Sequence, residues 1–114
     1  MLSGRSAAAL GVLWLAAASI PARAATIQIS MENLEISPAV VAAKVGDTIE
    51  WINKDVLVHT VTARNGDFDV TLPPKKTVSL VLKKSGTVDY YCRFHPNMKA
   101  SLDVEPLEQD SPSS

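Results

Sequence analysis

Thr87-Val88-Asp89-Tyr90-Tyr91-Cys92 places Val88, Tyr90 and Cys92 on one side of an extended chain and Asp89 and Tyr91 on the other. Successive side chains of a strand point to opposite faces, so this two-residue period marks a half-buried strand whose last residue, Cys92, points inward. The same period recurs over Thr26 to Met31, Ala39 to Val45, Thr48 to Asn53, Val56 to Ala63, Thr77 to Lys83 and Ala100 to Glu105. Within Thr48 to Asn53, Ile49 and Trp51 share a face, which makes Trp51 a core residue. Between the runs lie turn-forming pairs and triplets: Ser37-Pro38, Gly46-Asp47, Asn53-Lys54-Asp55, Asn65-Gly66-Asp67, Pro73-Pro74 and Ser85-Gly86. Seven or eight short strands with turns about every eight to twelve residues predict an all-β antiparallel sandwich or small barrel. No segment has the pattern of a long helix, and no internal repeat is visible.

The chain has 114 residues, 46% hydrophobic and 20% charged, with a formal net charge of −1. That is room for one domain, without the basic face that a nucleic-acid partner would require. One cysteine cannot form an internal disulfide, and two histidines cannot build a multi-histidine metal cluster. Arg5 precedes an apolar run from Ala7 to Ile20, followed by the small-x-small triplet Ala22-Arg23-Ala24. This reads as a secretory signal peptide, residues 1–24, cut after Ala24. The run is shorter than the roughly 20 residues needed to cross a bilayer, so the mature chain carries no membrane anchor. From Ala25 onward nine basic residues face twelve acidic ones, a net charge of −3. The domain then spans 25–105, and the acidic, Pro/Ser-rich residues 106–114 read as a disordered tail.

The chemistry is concentrated in Cys92-Arg93-Phe94-His95-Pro96-Asn97-Met98, where a thiol, an imidazole and a thioether recur every third residue. Singly, each has an ordinary structural reading. Together in an exported chain they point to a metal, because a lone thiol outside the cytoplasm is exposed to oxidation unless something holds its sulfur. The other histidine, His59, sits on a neighbouring β-segment. Two imidazoles, one thiolate and a weak axial thioether form the donor set of blue-copper electron-transfer sites, whereas zinc rarely takes methionine. The candidate ligands are therefore His59, Cys92, His95 and Met98, and the expected cofactor is one copper ion cycling between Cu(I) and Cu(II).

Cys92-x2-His95-x2-Met98, with Gly86 to Tyr91 before it and the upstream stretches Val45 to Asp55 and His59 to Thr62, closely resembles the cupredoxins of the plastocyanin and amicyanin group. The likeness covers nearly all of Thr26 to Glu105. The two-residue gap between His95 and Met98, with Pro96 after the histidine, resembles the amicyanins. The resemblance implies a Greek-key β-sandwich of about eight strands with copper at one end. It also implies that His95 presents its ring edge to the surface among Phe94, Pro96, Leu57 and Val58, rimmed by Arg93, Lys99 and Lys54. The family carries Pro-His-Asn at the first histidine, where this chain has Val58-His59-Thr60. The family asparagine ties the two ligand loops together, so Thr60 is expected to do so through its hydroxyl or its backbone.

The expected function is one-electron transfer in the periplasm by a monomer. The resemblance implies transient redox partners such as a c-type cytochrome or a periplasmic dehydrogenase. A copper carrier or resistance protein would use the same soft ligands without redox cycling. An enzyme is disfavoured, since copper oxidase or reductase chemistry needs an open position or a second histidine-rich centre.

Overall fold

The computed structural model describes residues 23–107. The predicted leader and tail lie outside the described residues except for Arg23, Ala24, Pro106 and Leu107, none of which is in a strand.

Alternation becomes burial most clearly in β4 (Thr48–Asn53), where Ile49, Trp51 and Asn53 are buried and the residues between them are partly exposed. Around it run β1 (Thr26–Glu32), β2 (Glu35–Ser37), β3 (Val40–Lys44), β5 (His59–Ala63), β6 (Asp69–Leu72), β7 (Thr77–Val81), β8 (Gly86–Tyr91) and β9 (Lys99–Glu105). They form a four-stranded sheet in the order β2-β1-β4-β7 and a five-stranded sheet in the order β3-β9-β8-β5-β6. The inner faces meet in one core. Ile29, Met31, Ile49 and Trp51 come from the first sheet, and Val41, Val61, Leu72, Tyr90, Leu102 and Val104 from the second.

Trp51 pins the sheets together. Its indole Nε1 donates to the Tyr90 hydroxyl at 3.1 Å across the core, and the rings meet edge-on with centroids 5.6 Å apart. Phe68 completes the cluster against both rings. Burial pushes the Tyr90 phenol up to about 12, with the Trp51 hydrogen bond working the other way. The phenol is therefore neutral at any ordinary pH, and no charge is stranded in the core.

All seven expected strands exist, with ends shifted by at most three residues. Two differences matter. The sandwich is mixed rather than antiparallel, because β1 pairs in parallel with β4 and β3 in parallel with β9. Nine strands lie among the described residues, because the short edge strands β2 and β6 were not anticipated. Val56 to Val58, expected to open a strand, is an exposed loop, and β5 begins at His59.

Two local devices set the chain up for the site. The β1–β2 connection is the two-residue turn Asn33-Leu34, with both residues at positive φ, 55° and 62°. A two-residue hairpin turn that follows the strand twist requires this conformation, and a leucine adopts it only when something else compensates the strain. The second device is Asn53, fully buried at the end of β4. Its amide donates to the carbonyls of Leu57 at 2.8 Å, Leu72 at 3.1 Å and Pro73 at 3.2 Å, and its Oδ1 accepts from Asp55 N at 2.9 Å. One side chain thus shapes the whole loop leading to His59. Asn53→Ala would remove the amide that these three carbonyls share and is expected to cost about 3 kcal/mol, read as a lower urea midpoint; a loss under about 0.5 kcal/mol would show that the loop holds itself.

Candidate metal centre

The spacing of Cys92, His95 and Met98 has a direct structural cause. His95 N donates to Cys92 O at 3.3 Å, and Met98 N to His95 O at 2.8 Å. These are two successive i→i+3 turns, in which side chains three apart point the same way. Cys92 N donates to Met98 O at 3.0 Å and closes the loop at its base. The loop joins β8 to β9, so neighbouring strands hold both its ends.

His59 enters from the adjoining strand, and the tautomer of its ring follows from its neighbours. Nε2 lies 2.8 Å from Asp55 Oδ2. The Asp55 carboxylate is ionised: burial pushes its carboxyl up, but hydrogen bonds from His59 and from the N–H groups of Asn33 and Leu34 outweigh this and hold it below the usual carboxylate range. An ionised carboxylate only accepts, so Nε2 carries the proton and donates, leaving the Nδ1 lone pair free. That Nδ1 lies 3.7 Å from Cys92 Sγ. His95 Nδ1 lies 3.8 Å from the same sulfur, and the two rings are nearly perpendicular with centroids 5.1 Å apart.

The ligating atoms of His59, Cys92 and His95 all lie within 4.8 Å of one another. A metal held at about 2.0–2.1 Å from nitrogen and about 2.3 Å from sulfur in a trigonal plane requires N–S separations of roughly 3.8 Å, which matches what the protein presents. Met98 is 2% exposed and joins the same loop. His59 and Cys92 are fully buried and His95 is partly exposed. The residues fit copper: the soft sulfurs favour Cu(I), the imidazoles suit both oxidation states, and the buried donors exclude water.

Thr60 joins the two ligand segments with two separate groups. Its backbone N–H points at Cys92 Sγ, 3.4 Å away, and its hydroxyl oxygen accepts from Arg93 N at 2.9 Å. The direction of the remaining protons is fixed. Thr62 Oγ1 donates to the Asp69 carboxylate at 2.7 Å, so Thr60 Oγ1 must be the donor in its 2.9 Å contact with Thr62. The chain ends at the surface, where Arg93 Nε meets Asp69 at 3.2 Å. The hydrogen bond from Thr62 and the Arg93 guanidinium keep the Asp69 carboxyl low.

Sequence reasoning named four candidate ligands, of which the structure brings His59, Cys92 and His95 together around one point, but it missed Asp55 and Asn53. The available signal was their position, a carboxylate four residues before a candidate ligand and a polar residue closing an apolar strand. Asp55 does double work: besides orienting His59, it accepts from Asn33 N at 2.7 Å and Leu34 N at 3.1 Å, the two residues of the strained hairpin turn. Around the centre, Phe94 is 50% exposed and Val56, Leu57 and Val58 are exposed as well. Leu34, Val56 and Leu57 line one shallow cleft, and Leu34, Asn97 and Met98 an adjoining one. Lys54, Arg93 and Lys99 are exposed, with Arg93 tied to Asp69.

Comparison with known proteins agrees with this geometry. The profile of the cupredoxin-like domain matches residues 5–104, a match that begins inside the predicted leader. The chain belongs to the cupredoxin-like family. This cupredoxin is 31% identical over 90 residues to the methylamine utilization protein MauL of Methylorubrum extorquens, covering 75% of this chain and 79% of that protein. It is 30% identical over 97 residues to the amicyanin of Paracoccus versutus, covering 80% and 72% of the two chains. A solved structure of a reduced amicyanin variant superposes with a TM-score of 0.62 at 29% identity, covering 70% of this chain and 82% of that one.

Loss of a carboxylate that orients a metal-bound histidine typically weakens metal binding about 10–100-fold. Asp55→Asn should therefore weaken copper binding by that factor in competition with a chelator, while Asp89→Asn, exposed on β8, leaves it unchanged. Equal affinities for the two variants would mean that Asp55 serves the hairpin turn alone.

Proposed function

We propose that this cupredoxin is a type 1 copper protein that carries single electrons between periplasmic redox partners, with His59, Cys92, His95 and Met98 as its ligands. The observation that carries the reading is the convergence of two histidine Nδ1 atoms on one buried thiol sulfur. Bound copper supplies the one-electron chemistry. The protein's part is to hold the donors so that little moves between oxidation states. Asp55 fixes the His59 ring, the two turns of the 92–98 loop fix His95 and Met98, and Thr60 N–H stabilises charge on the sulfur.

The same geometry disfavours catalysis. Four protein donors leave no open position for a substrate, and the chain has only the two histidines already used. His95 is the partly exposed ligand and lies beside Phe94, so the electron path runs through its ring edge. The apolar rim of Leu57, Val58 and Phe94 suits brief docking, because transient redox encounters use small interfaces. A c-type cytochrome or a periplasmic dehydrogenase is the class of partner proposed, met by the protein as a monomer. The leader, residues 1–24, would deliver the domain, residues 25–105, to the periplasm, with 106–114 as a free tail.

One equivalent of Cu(II) added to the purified protein should give an intense blue thiolate-to-copper absorption band and narrow copper hyperfine splitting, both absent in Cys92→Ser. A colourless product, or oxidation of the thiol without a stable Cu(II) complex, would replace electron transfer with the reading of a Cu(I) carrier.

A further inference from the structure

Away from the metal centre, one buried carboxyl group has no cationic side chain paired with it among the described residues. Asp47, in the turn between β3 and β4, is 5% exposed, and among the described residues it takes part in no ion pair. Its Oδ2 accepts from Lys44 N at 2.9 Å. Its Oδ1 accepts at 2.8 Å from the backbone nitrogen of Ala25. The neighbouring backbone holds the site rigid: Thr48 N donates to Ala25 O, Asp47 N to Lys44 O and Leu82 N to Asp47 O. Among the described residues, the hydrogen-bond donors to this buried carboxyl group are two backbone nitrogens.

Ala25 is also the residue that follows the small-x-small triplet, in the exposed, strand-free stretch Arg23 to Ala25. Removal of the leader by a signal-peptidase-class protease adds water across the Ala24–Ala25 peptide bond. The carbonyl carbon stays with Ala24 as a carboxylate, and the nitrogen leaves as the amine of Ala25. An α-amine has an ordinary pKa of about 7.7–8.0, so near neutral pH and below it is mostly an ammonium. The atom that becomes charged is the one already in hydrogen-bond contact with Asp47.

We propose that Asp47 is the receptor for the mature amino terminus: cleavage after Ala24 turns the Ala25–Asp47 hydrogen bond into an ammonium–carboxylate pair that fastens β1 to the β3–β4 turn. This rests on the reading of residues 1–24 as a cleaved leader. The pair does not exist in the uncut precursor, so processing itself strengthens the fold. Lysine cannot take over this role, because the contact belongs to a main-chain nitrogen at the start of β1.

The full chain would be expressed in an exporting bacterial host, and its first residue read from the intact mass of the periplasmic product. The rate of acylation of the α-amine would then be followed by peptide mapping in the wild type and in Asp47→Asn, which keeps an oxygen acceptor and loses the charge. Each unit of rise in the amine's pKa lowers its reactive neutral fraction about tenfold, so the amine should react about tenfold faster in Asp47→Asn. The wild type unfolded in urea should show the same acceleration over the folded wild type, a comparison that does not depend on the variant folding. Acetylation of the amine should lower the melting temperature of the wild type by about 5 °C and leave that of Asp47→Asn unchanged. A product beginning at a residue other than Ala25 would overturn both the cleavage reading and the pair. A product beginning at Ala25 with equal rates, folded and unfolded, would overturn the pair alone and leave export intact.

Discussion

The centre depends on the joint between Thr60 and the Cys92-Arg93 dipeptide. β5 and β8 pair directly at only two register positions, Thr62 with Tyr91 and Ala63 with Tyr90. Beyond them the two chains would be free to separate at the end where His59 and Cys92 sit. Thr60 closes that gap with its N–H on the sulfur and its hydroxyl under the Arg93 amide. Because the hydroxyl passes its own proton on to Thr62 and so to Asp69, it keeps a lone pair free for Arg93 and every group in the joint has a partner. The threonine divides the task between backbone and hydroxyl and extends it to the sheet edge at β6.

What could be read from the sequence follows from where periodicity is strong. β4 is bounded correctly because both its faces are decided, with Ile49, Trp51 and Asn53 in and Thr48, Glu50 and Ile52 out. β2 has three residues and β6 a single buried one, too little for a two-residue period to show. The parallel pairings were invisible for another reason: alternation has the same period whichever way the neighbouring strand runs. The four candidate ligands were legible from donor chemistry and spacing, since two consecutive turns impose a three-residue repeat. Asn53 and Asp55 were not, because a buried amide and a loop carboxylate show their roles only once the carbonyls and the ring they serve are in place.

Val56 to Val58 shows how an exposed apolar loop misleads pattern reading. Three apolar residues in a row look like a buried strand, yet here they are among the more exposed apolar side chains of the protein. The loop's apolar side chains face outward instead, at 76%, 45% and 38% exposure for Val56, Leu57 and Val58. Asn53 makes this possible by bonding the Leu57 carbonyl from below, so that the loop's polar backbone turns inward while its side chains face out.

The order of the strands also bears on survival at high concentration. The four edge strands are β2, β7, β3 and β6, and none is longer than five residues. The six- and seven-residue strands β1, β4, β8 and β9 all lie between neighbours. A long exposed edge is a template for pairing with another chain. By keeping its long strands enclosed and ending each sheet on short ones, the described part of the protein leaves only short edges for a second copy to extend.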